Sequence, residues 1–508
     1  MAKTRHGRLV ASLLVLASIA AVALTGTIAP ATAFAPARAR PSVVVVVLDE
    51  LPLSTLLDRR GGIDAHLFPN FARLQRGSTW FRNATTVEIF TKTVLPSMLT
   101  GRYPTTSSHP QPDLFGLLSD THALRTTFVS HPLCEGLCEG TLGSGRAAIP
   151  RQTKVFASGP RGEPFADFLE LLEVPQTPAL YYLHLVMPHS PWRYLPSGQR
   201  YPGTNPLPGE WDPPGPGKAW RSDRWPVEQA YQRHLLQVSF TDRLLGIVMD
   251  RLRPAGLYEE SLVAVVADHG IAFRPGFHKR VPRAETLAAI ASVPFFVKVP
   301  GQRHSVISDV PVEVVDLVPT VADALDLGIP PGVDGRSVLG VAPGAERDRQ
   351  IRGLPIASDG RAKYADVAAK YRTFSSRNGG IDPFALGPGR SESLIGLRVD
   401  TVFVRDGDGI VSVADLGSHQ ATAPDAGLFP ALLQGDIESS VWADDVLLAV
   451  AVNGRIASVT RTFRDGNRSR FYAMLPPTAF HAPPNEIAIY QVDSVRGKSF
   501  TRMGLREQ

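Results

Sequence analysis

The ten residues from Ser261 to Gly270, SLVAVVADHG, constrain the fold more than any other stretch. An unbroken Leu/Val/Ala run, with no polar alternation, suits a strand whose sheet is covered by helices on both faces, as parallel sheets are. Such sheets present their ligands at the carboxyl ends of the strands. Here that end carries a carboxylate, an imidazole and a glycine able to turn sharply: Asp268, His269 and Gly270. The combination suits a metal site. Asp-His-Gly alone fits a plain polar strand exit equally well.

Two further stretches weigh against the plain reading. Ser42 to Glu50 reads SVVVVVLDE, a second buried strand ending in Asp49 and Glu50. Tyr181 to Val186 reads YYLHLV and leads into Met187-Pro188-His189. Parallel strands would gather these ends on one edge of a sheet. Hard oxygen ligands with imidazole suit zinc, manganese or magnesium, and calcium where oxygens dominate. The expected fold is α/β, a central and largely parallel sheet flanked by helices, followed by a smaller C-terminal β domain.

A chain of 508 residues has ample length for such a core and for two domains. The net charge of +5 lies partly in Lys3, Arg5 and Arg8, within a segment expected to be removed. It therefore does not mark nucleic-acid binding. Basic residues, an apolar run from Leu9 to Leu24 and small residues in Ala31-Thr32-Ala33-Phe34-Ala35 follow the order of a secretory signal, residues 1–35. The run is short of the roughly 20 residues of a full membrane span. The expected location is extracytoplasmic, secreted or in the cell envelope, with a single N-terminal anchor only if the segment stays uncleaved. Cys134 and Cys138, the only cysteines, are expected to close a small disulfide loop outside the cytoplasm.

Pro69 to Gly77 reads as a short helix. A loop from Asn83 leads to a helix expected around Pro96 to Leu99, and Thr91 and Thr93 lie near its start. A hydroxyl there meets the positive end of the helix dipole, which favours an alkoxide or phosphate. Residues 202–227, rich in Pro, Gly and Trp, read as a long loop near the site. Val227 to Leu252 reads as an amphipathic helix, in which His234 and Asp242 are polar helix positions rather than ligands. Pro294 to Val299 is a further strand and Val315 to Leu327 a helix.

From about residue 345 the helical periods fade. Leu397 to Val404, Val446 to Val452 and Ile487 to Val492 read as strands, with a hairpin turn at Asn453-Gly454. Asp406-Gly407-Asp408-Gly409 reads as a turn. The expected domains are 41–342, catalytic, and 346–508, a β sandwich. GTLGSG follows no strand, so it is not a dinucleotide loop.

The order of motifs is distinctive. Asp49-Glu50 is followed by LPSMLTGRYP, PHSPW, ADHG with His278-Lys279 downstream, DLVPT at Asp316 to Thr320, and GVDGRS. Together they resemble the sulfatase-like branch of the alkaline phosphatase superfamily over roughly residues 41 to 342. The resemblance implies a divalent metal (zinc, manganese or calcium) held by Asp49, Glu50, Asp268, His269 and the nucleophile's oxygen. Sulfatases place their modified cysteine ten residues before the Gly of LTG, and Gly101 minus ten is Thr91. Phosphoethanolamine transferases place a nucleophilic Thr five residues before a Pro, and Pro96 minus five is again Thr91. Thr93 is the fallback.

Here the chain departs from sulfatases. They need Cys or Ser in C/S-x-P-S-R for conversion to formylglycine, and this chain has Thr91-Lys92-Thr93. The expectation moves to members that use threonine directly, similar to lipoteichoic acid synthases and phosphoethanolamine transferases. His189, His278 and Lys279 would steady the charge on a transferred phosphoryl group or protonate the leaving alcohol. The expected substrates are extracellular or envelope phosphate esters. The alternatives are a sulfate-ester hydrolase and an inactive scaffold that binds an envelope component.

Overall fold

The computed structural model describes residues 40–104, 113–127, 156, 159, 161–202, 219–374, 380–438 and 445–508. The expected signal segment, the expected Cys134–Cys138 disulfide and most of the expected 202–227 loop lie outside these residues. Arg40–Gln508 form one compact unit.

The seven-stranded central sheet contains β1 (Val43–Asp49), β2 (Thr79–Phe81), β3 (Ala123–Thr127), β4 (Ala179–Pro188), β5 (Leu262–Ala267), β6 (Phe295–Lys298) and β7 (Val306–Ser308). Their order is β3-β4-β1-β5-β6-β2-β7. The first four pair in parallel, β6 is antiparallel to both its neighbours, and β7 is parallel to β2. β1 is buried along its whole length. Each of its valines contributes about 1.5–3 kcal/mol of burial, which fixes the strand at the centre.

Register then places the chemistry. Leu48 lies opposite Ala267, so Asp49 and Asp268 leave the sheet side by side. Val47 lies opposite His184, and the pairing slips after Leu48 so that Asp49 faces Pro188. Gly270 makes the exit from β5 possible. Its backbone N–H donates to Ile290 O, and a Cβ there would sit 2.1 Å from Ala289 O.

The helices that matter are α1 (Leu53–Leu56), α2 (Pro69–Arg76), α3 (Thr91–Thr100), α4 (Arg224–Leu252), α5 (Leu317–Ala324) and α6 (Lys363–Phe374). α3 starts five residues before Pro96, because Phe90 O accepts from both Thr93 N and Val94 N. The proline removes only one hydrogen bond within the helix. α4 begins at Arg224, three residues earlier than expected, where the Asp223 side chain accepts from Trp225 N. The expected helix from Val315 is a 3₁₀ turn, Val314–Asp316, continued by α5.

The C-terminal part forms one eight-stranded sheet. Its strands are β8 (Phe403–Val413), β9 (Leu432–Glu438), β10 (Leu447–Val452), β11 (Arg455–Arg461), β12 (Phe463–Asp465), β13 (Arg468–Met474), β14 (Ile487–Ser494) and β15 (Ser499–Glu507). The order is β11-β10-β14-β15-β8-β9-β13-β12, and only β8 and β15 pair in parallel. The sheet curls on itself, so Thr460 Oγ1 of β11 donates to Tyr472 O of β13. One curled sheet therefore stands where two stacked sheets were expected.

Three local expectations also change. Leu397 to Val404 contains a 3₁₀ turn, Val399–Thr401, and its strand starts at Phe403. Asp406 to Gly409 lies within β8, at a break in its pairing with β15, rather than in a turn. The twelve-residue α6 falls where helical periodicity fades in the sequence. The Asn453-Gly454 turn is present, with φ of 51° and 73°. α4 bridges the two sheets: Gln229 Nε2 donates to Tyr472 O at 2.5 Å, and Trp225 Nε1 to Thr460 Oγ1 at 3.3 Å.

Candidate active site

The ends of β1, β4 and β5 and the start of α3 converge on one buried cluster. Asp49, Asp268, His269 and His184 are all buried. Asp49 Oδ2 lies 3.8 Å from His184 Nε2. One ligand atom each from Asp49, His184 and Asp268 lie within 4.8 Å of one another. Thr91, the first residue of α3, donates to Asp49 Oδ1 at 3.4 Å and lies 3.3 Å from His269 Nε2. Thr93 lies further along the helix, where its carbonyl accepts from Ser97 Oγ.

Hydrogen-bond partners set the protons. His269 Nδ1 lies 3.0 Å from Gly270 O, a bond only an N–H can make, so the Nε2 lone pair faces Thr91. Asp268 Oδ1 accepts from Glu50 N at 3.0 Å and His269 N at 2.6 Å. Asp268 Oδ2 is buried with no hydrogen-bond partner among the described residues. Burial, then Asp268, then Glu50 push the Asp49 carboxyl well above its usual range. An orphaned oxygen beside a second carboxylate and an imidazole is the donor set a divalent cation satisfies.

Glu50 is also buried, but it faces elsewhere. Its Oε1 accepts from Arg280 Nε at 2.6 Å, and its Oε2 from Ser190 N at 3.2 Å. Burial alone would raise its carboxyl. Arg280, then His189 and Lys279, outweigh burial and hold it far below the ordinary range. Arg280 Nη2 lies 2.6 Å from His189 Nε2, and His189 Nδ1 donates to Ser190 O at 2.5 Å. Burial first lowers the His189 imidazole below its usual value. Arg161 holds this loop, donating to His189 O at 2.7 Å and Ser190 O at 2.5 Å.

His278 sits on the loop after β5, where its Nδ1 accepts from Arg280 N and Val281 N. The ring proton is thereby left at Nε2. Lys279 is buried on the same loop. The structure thus gathers Asp49, Thr91, Asp268 and His269 in one group, and Glu50 and His189 in a second around Arg280.

Three residues escaped the sequence reading: His184, Arg161 and Arg280. His184 had a readable signal, a lone polar residue in the otherwise apolar YYLHLV. Arg161 and Arg280 had none, because their partners lie 28 and 230 residues away.

DLVPT and GVDGRS build support rather than chemistry. Asp316 accepts from Glu313 N, Arg336 N and Arg347. Gly335 packs where a Cβ would lie 2.1 Å from Val315 O, and its N–H donates to Gly101 O at the end of α3.

A family model described as Sulfatase matches residues 41–327. A ulvan-active sulfatase of Formosa agariphila is 29% identical over 138 residues, 25% of each chain. Arylsulfatase K of Danio rerio is 30% identical over 100 residues, 20% of this chain and 18% of the relative. The chain spans about a quarter or less of the length of these curated relatives. Among solved structures, a phosphonate monoester hydrolase of Agrobacterium radiobacter is similar at TM-score 0.46 and 12% identity, covering 90% of each chain. The C-terminal periplasmic domain of EcEptC from Escherichia coli, in complex with Zn, is similar at TM-score 0.43 and 17% identity, covering 63% of this chain and 93% of that one. With the family model covering more than half its length, the chain belongs to the sulfatase family, in the sulfatase-like branch of the alkaline phosphatase superfamily.

Proposed function

We propose that this chain is an exported, metal-dependent phosphodiesterase or phosphotransferase with Thr91 as its nucleophile. One observation carries the reading. The hydroxyl at the nucleophile's place, between Asp49 and His269 at the start of α3, belongs to a threonine. Threonine cannot become the formylglycine on which sulfate-ester hydrolysis in this family rests.

Asp49, His184 and Asp268 would hold a divalent metal ion, which supplies Lewis acidity that lowers the cost of ionising the threonine. The remaining steps belong to the protein's own groups. The Thr91 hydroxyl hydrogen has two acceptors, Asp49 Oδ1 and His269 Nε2, and leaves to the imidazole. The Thr91 oxygen forms a bond to phosphorus as the ester oxygen departs. The charge on that oxygen is met by a hydrogen bond from His278 Nε2–H, its proton comes from solvent, to which the His269 imidazolium returns the one it took, and Lys279 offsets the charge gathering on the peripheral oxygens. Water, or an acceptor hydroxyl, then releases the phosphothreonine. Glu50 orients Arg280 rather than binding the metal.

A second reading, sulfate-ester hydrolysis, is favoured by the sulfatases among its relatives. Turnover of a bis-aryl phosphodiester and of an aryl sulfate, with zinc, manganese or calcium supplied, separates the two. Metal-dependent phosphodiesterase activity that disappears in Thr91→Ala is the expected result. Sulfatase activity that survives that substitution would overturn the proposal.

A further inference from the structure

Glu50 adopts φ +64°, a left-handed backbone that costs a non-glycine residue about 1–3 kcal/mol. Two contacts over-determine it: its N–H is held by Asp268 Oδ1, and its carboxylate by Arg280 and Ser190 N. The result sets its carboxylate on a guanidinium.

Arg280 is fixed on each side that is paired. Nε and Nη2 meet Glu50 Oε1 at 2.6 and 2.5 Å, and Nη2 also meets His189 Nε2 at 2.6 Å. Its backbone N–H donates to His278 Nδ1 at 3.0 Å. A guanidinium carries donors only, so His189 must accept, with its own proton on Nδ1 toward Ser190 O. His189 Nε2 is therefore occupied, and the proton-donating role expected of it falls to another group. Arg280 Nη1 has no partner among the described residues, although the side chain is only 15% exposed. A rigid, nearly dry guanidinium with an open edge is a site for a tetrahedral oxyanion.

We propose that Arg280 is a catalytic residue whose Nη1 edge binds the peripheral oxygens of the transferred phosphoryl group. The carboxylate of Glu50 and the imidazole of His189 act as its positioning residues. The site would then pair a cation held by Asp49, His184 and Asp268 with a guanidinium across the reacting centre. The inference rests on the phosphoryl-transfer reading. The best substrates would expose two unesterified oxygens, or one with a delocalised charge, to that edge.

The test uses the full chain. Inorganic phosphate binding is measured by calorimetry, and turnover of bis-p-nitrophenyl phosphate by absorbance, in wild type, Arg280→Ala, Arg280→Gln and Thr91→Ala. The expected loss in kcat for Arg280→Ala is about 10²–10³-fold. Phosphate affinity should fall at least about tenfold, and added guanidinium should restore part of the turnover in Arg280→Ala but not in Thr91→Ala. Arg280→Gln leaves the buried Glu50 carboxylate without its cation and should melt below wild type, so binding and kcat are compared per folded molecule at a temperature where every variant is folded. Phosphate binding unchanged by either Arg280 substitution would overturn the proposal, as would a wild type that binds neither phosphate nor sulfate. Full activity in Thr91→Ala would sink the nucleophile assignment while leaving the Arg280 binding result to stand by itself.

Discussion

The molecule buries two clusters of carboxylates, and they are built on opposite plans. Around Asp316 every oxygen is answered. Arg347 bridges Asp316 and Glu313, Arg336 N and Glu313 N cap the first, and Tyr103 Oη donates to the second at 2.5 Å. Around Asp49 and Asp268 the carboxylates face one another, and Asp268 Oδ2 has no hydrogen-bond partner among the described residues. The first plan locks the turn behind α3. The second leaves an attraction unspent, which a fold does not retain for its own stability. Charge that is fully paired marks architecture, and charge left wanting marks chemistry.

Substitutions should pull the two clusters apart. The largest effect is expected from Asp268→Asn: turnover should fall at least about 10³-fold, while urea unfolding in the absence of metal shows stability held or raised. A destabilised Asp268→Asn would erase the contrast. Arg347→Met should do the reverse, losing about 3–5 kcal/mol of unfolding free energy because two buried carboxylates lose their cation. Its kcat per folded molecule should stay near wild type.

Chelation comes next. Stripping divalent ions should lower the stability of wild type by about 2.7 kcal/mol relative to a hundredfold excess over Kd, and leave Asp268→Asn unmoved. Scanning calorimetry with and without chelator reads both. An equal response in the two proteins would place the ion elsewhere.

The smallest effect belongs to Lys370, a buried cation of the architectural kind. Its Nζ donates to Thr55 O at 2.7 Å and Leu57 O at 2.6 Å, at the end of α1. Burial pulls its ammonium down to about 7, against the opposing pull of Asp64 and Asp58. The unfolded chain keeps that proton up to about pH 10.4, so between these values it binds more protons than the folded chain. Stability from this group is therefore lowest below pH 7 and rises with pH, by up to about 1.4 kcal/mol per unit. Denaturant unfolding at pH 7 and pH 9 should show the slope in wild type and not in Lys370→Met.

Much of this was legible in the chain itself, for a physical reason. β1 and β5 are continuous apolar runs because both faces are covered, and the polar residues after them mark where the cover ends. Asp49, Asp268 and His269 could be found that way, and Thr91 by its spacing from LTG. Glu50 could be found but not interpreted, because its partner Arg280 arrives from a loop 230 residues later. His184 stood out as the polar residue of YYLHLV, but its role depends on strand register: its pairing opposite Val47 brings its ring to Asp49. The curl of the C-terminal sheet was beyond reach for a similar reason, since alternation reports which face is buried and not which strand lies beside which.

The long helix α4 carries one last consequence. One side of it meets the C-terminal part: Trp225 Nε1 donates to Thr460 Oγ1, Gln229 Nε2 to Tyr472 O and Gln232 Nε2 to Pro383 O. Another side of the same helix serves the catalytic edge, where Gln237 Nε2 donates to Pro188 O and His189 O. α4 thus joins the C-terminal sheet to the loop that carries His189. Cleaving the chain near residue 342 would strand these donors and slacken the loop that carries His189, so protease resistance and catalytic competence should vanish together.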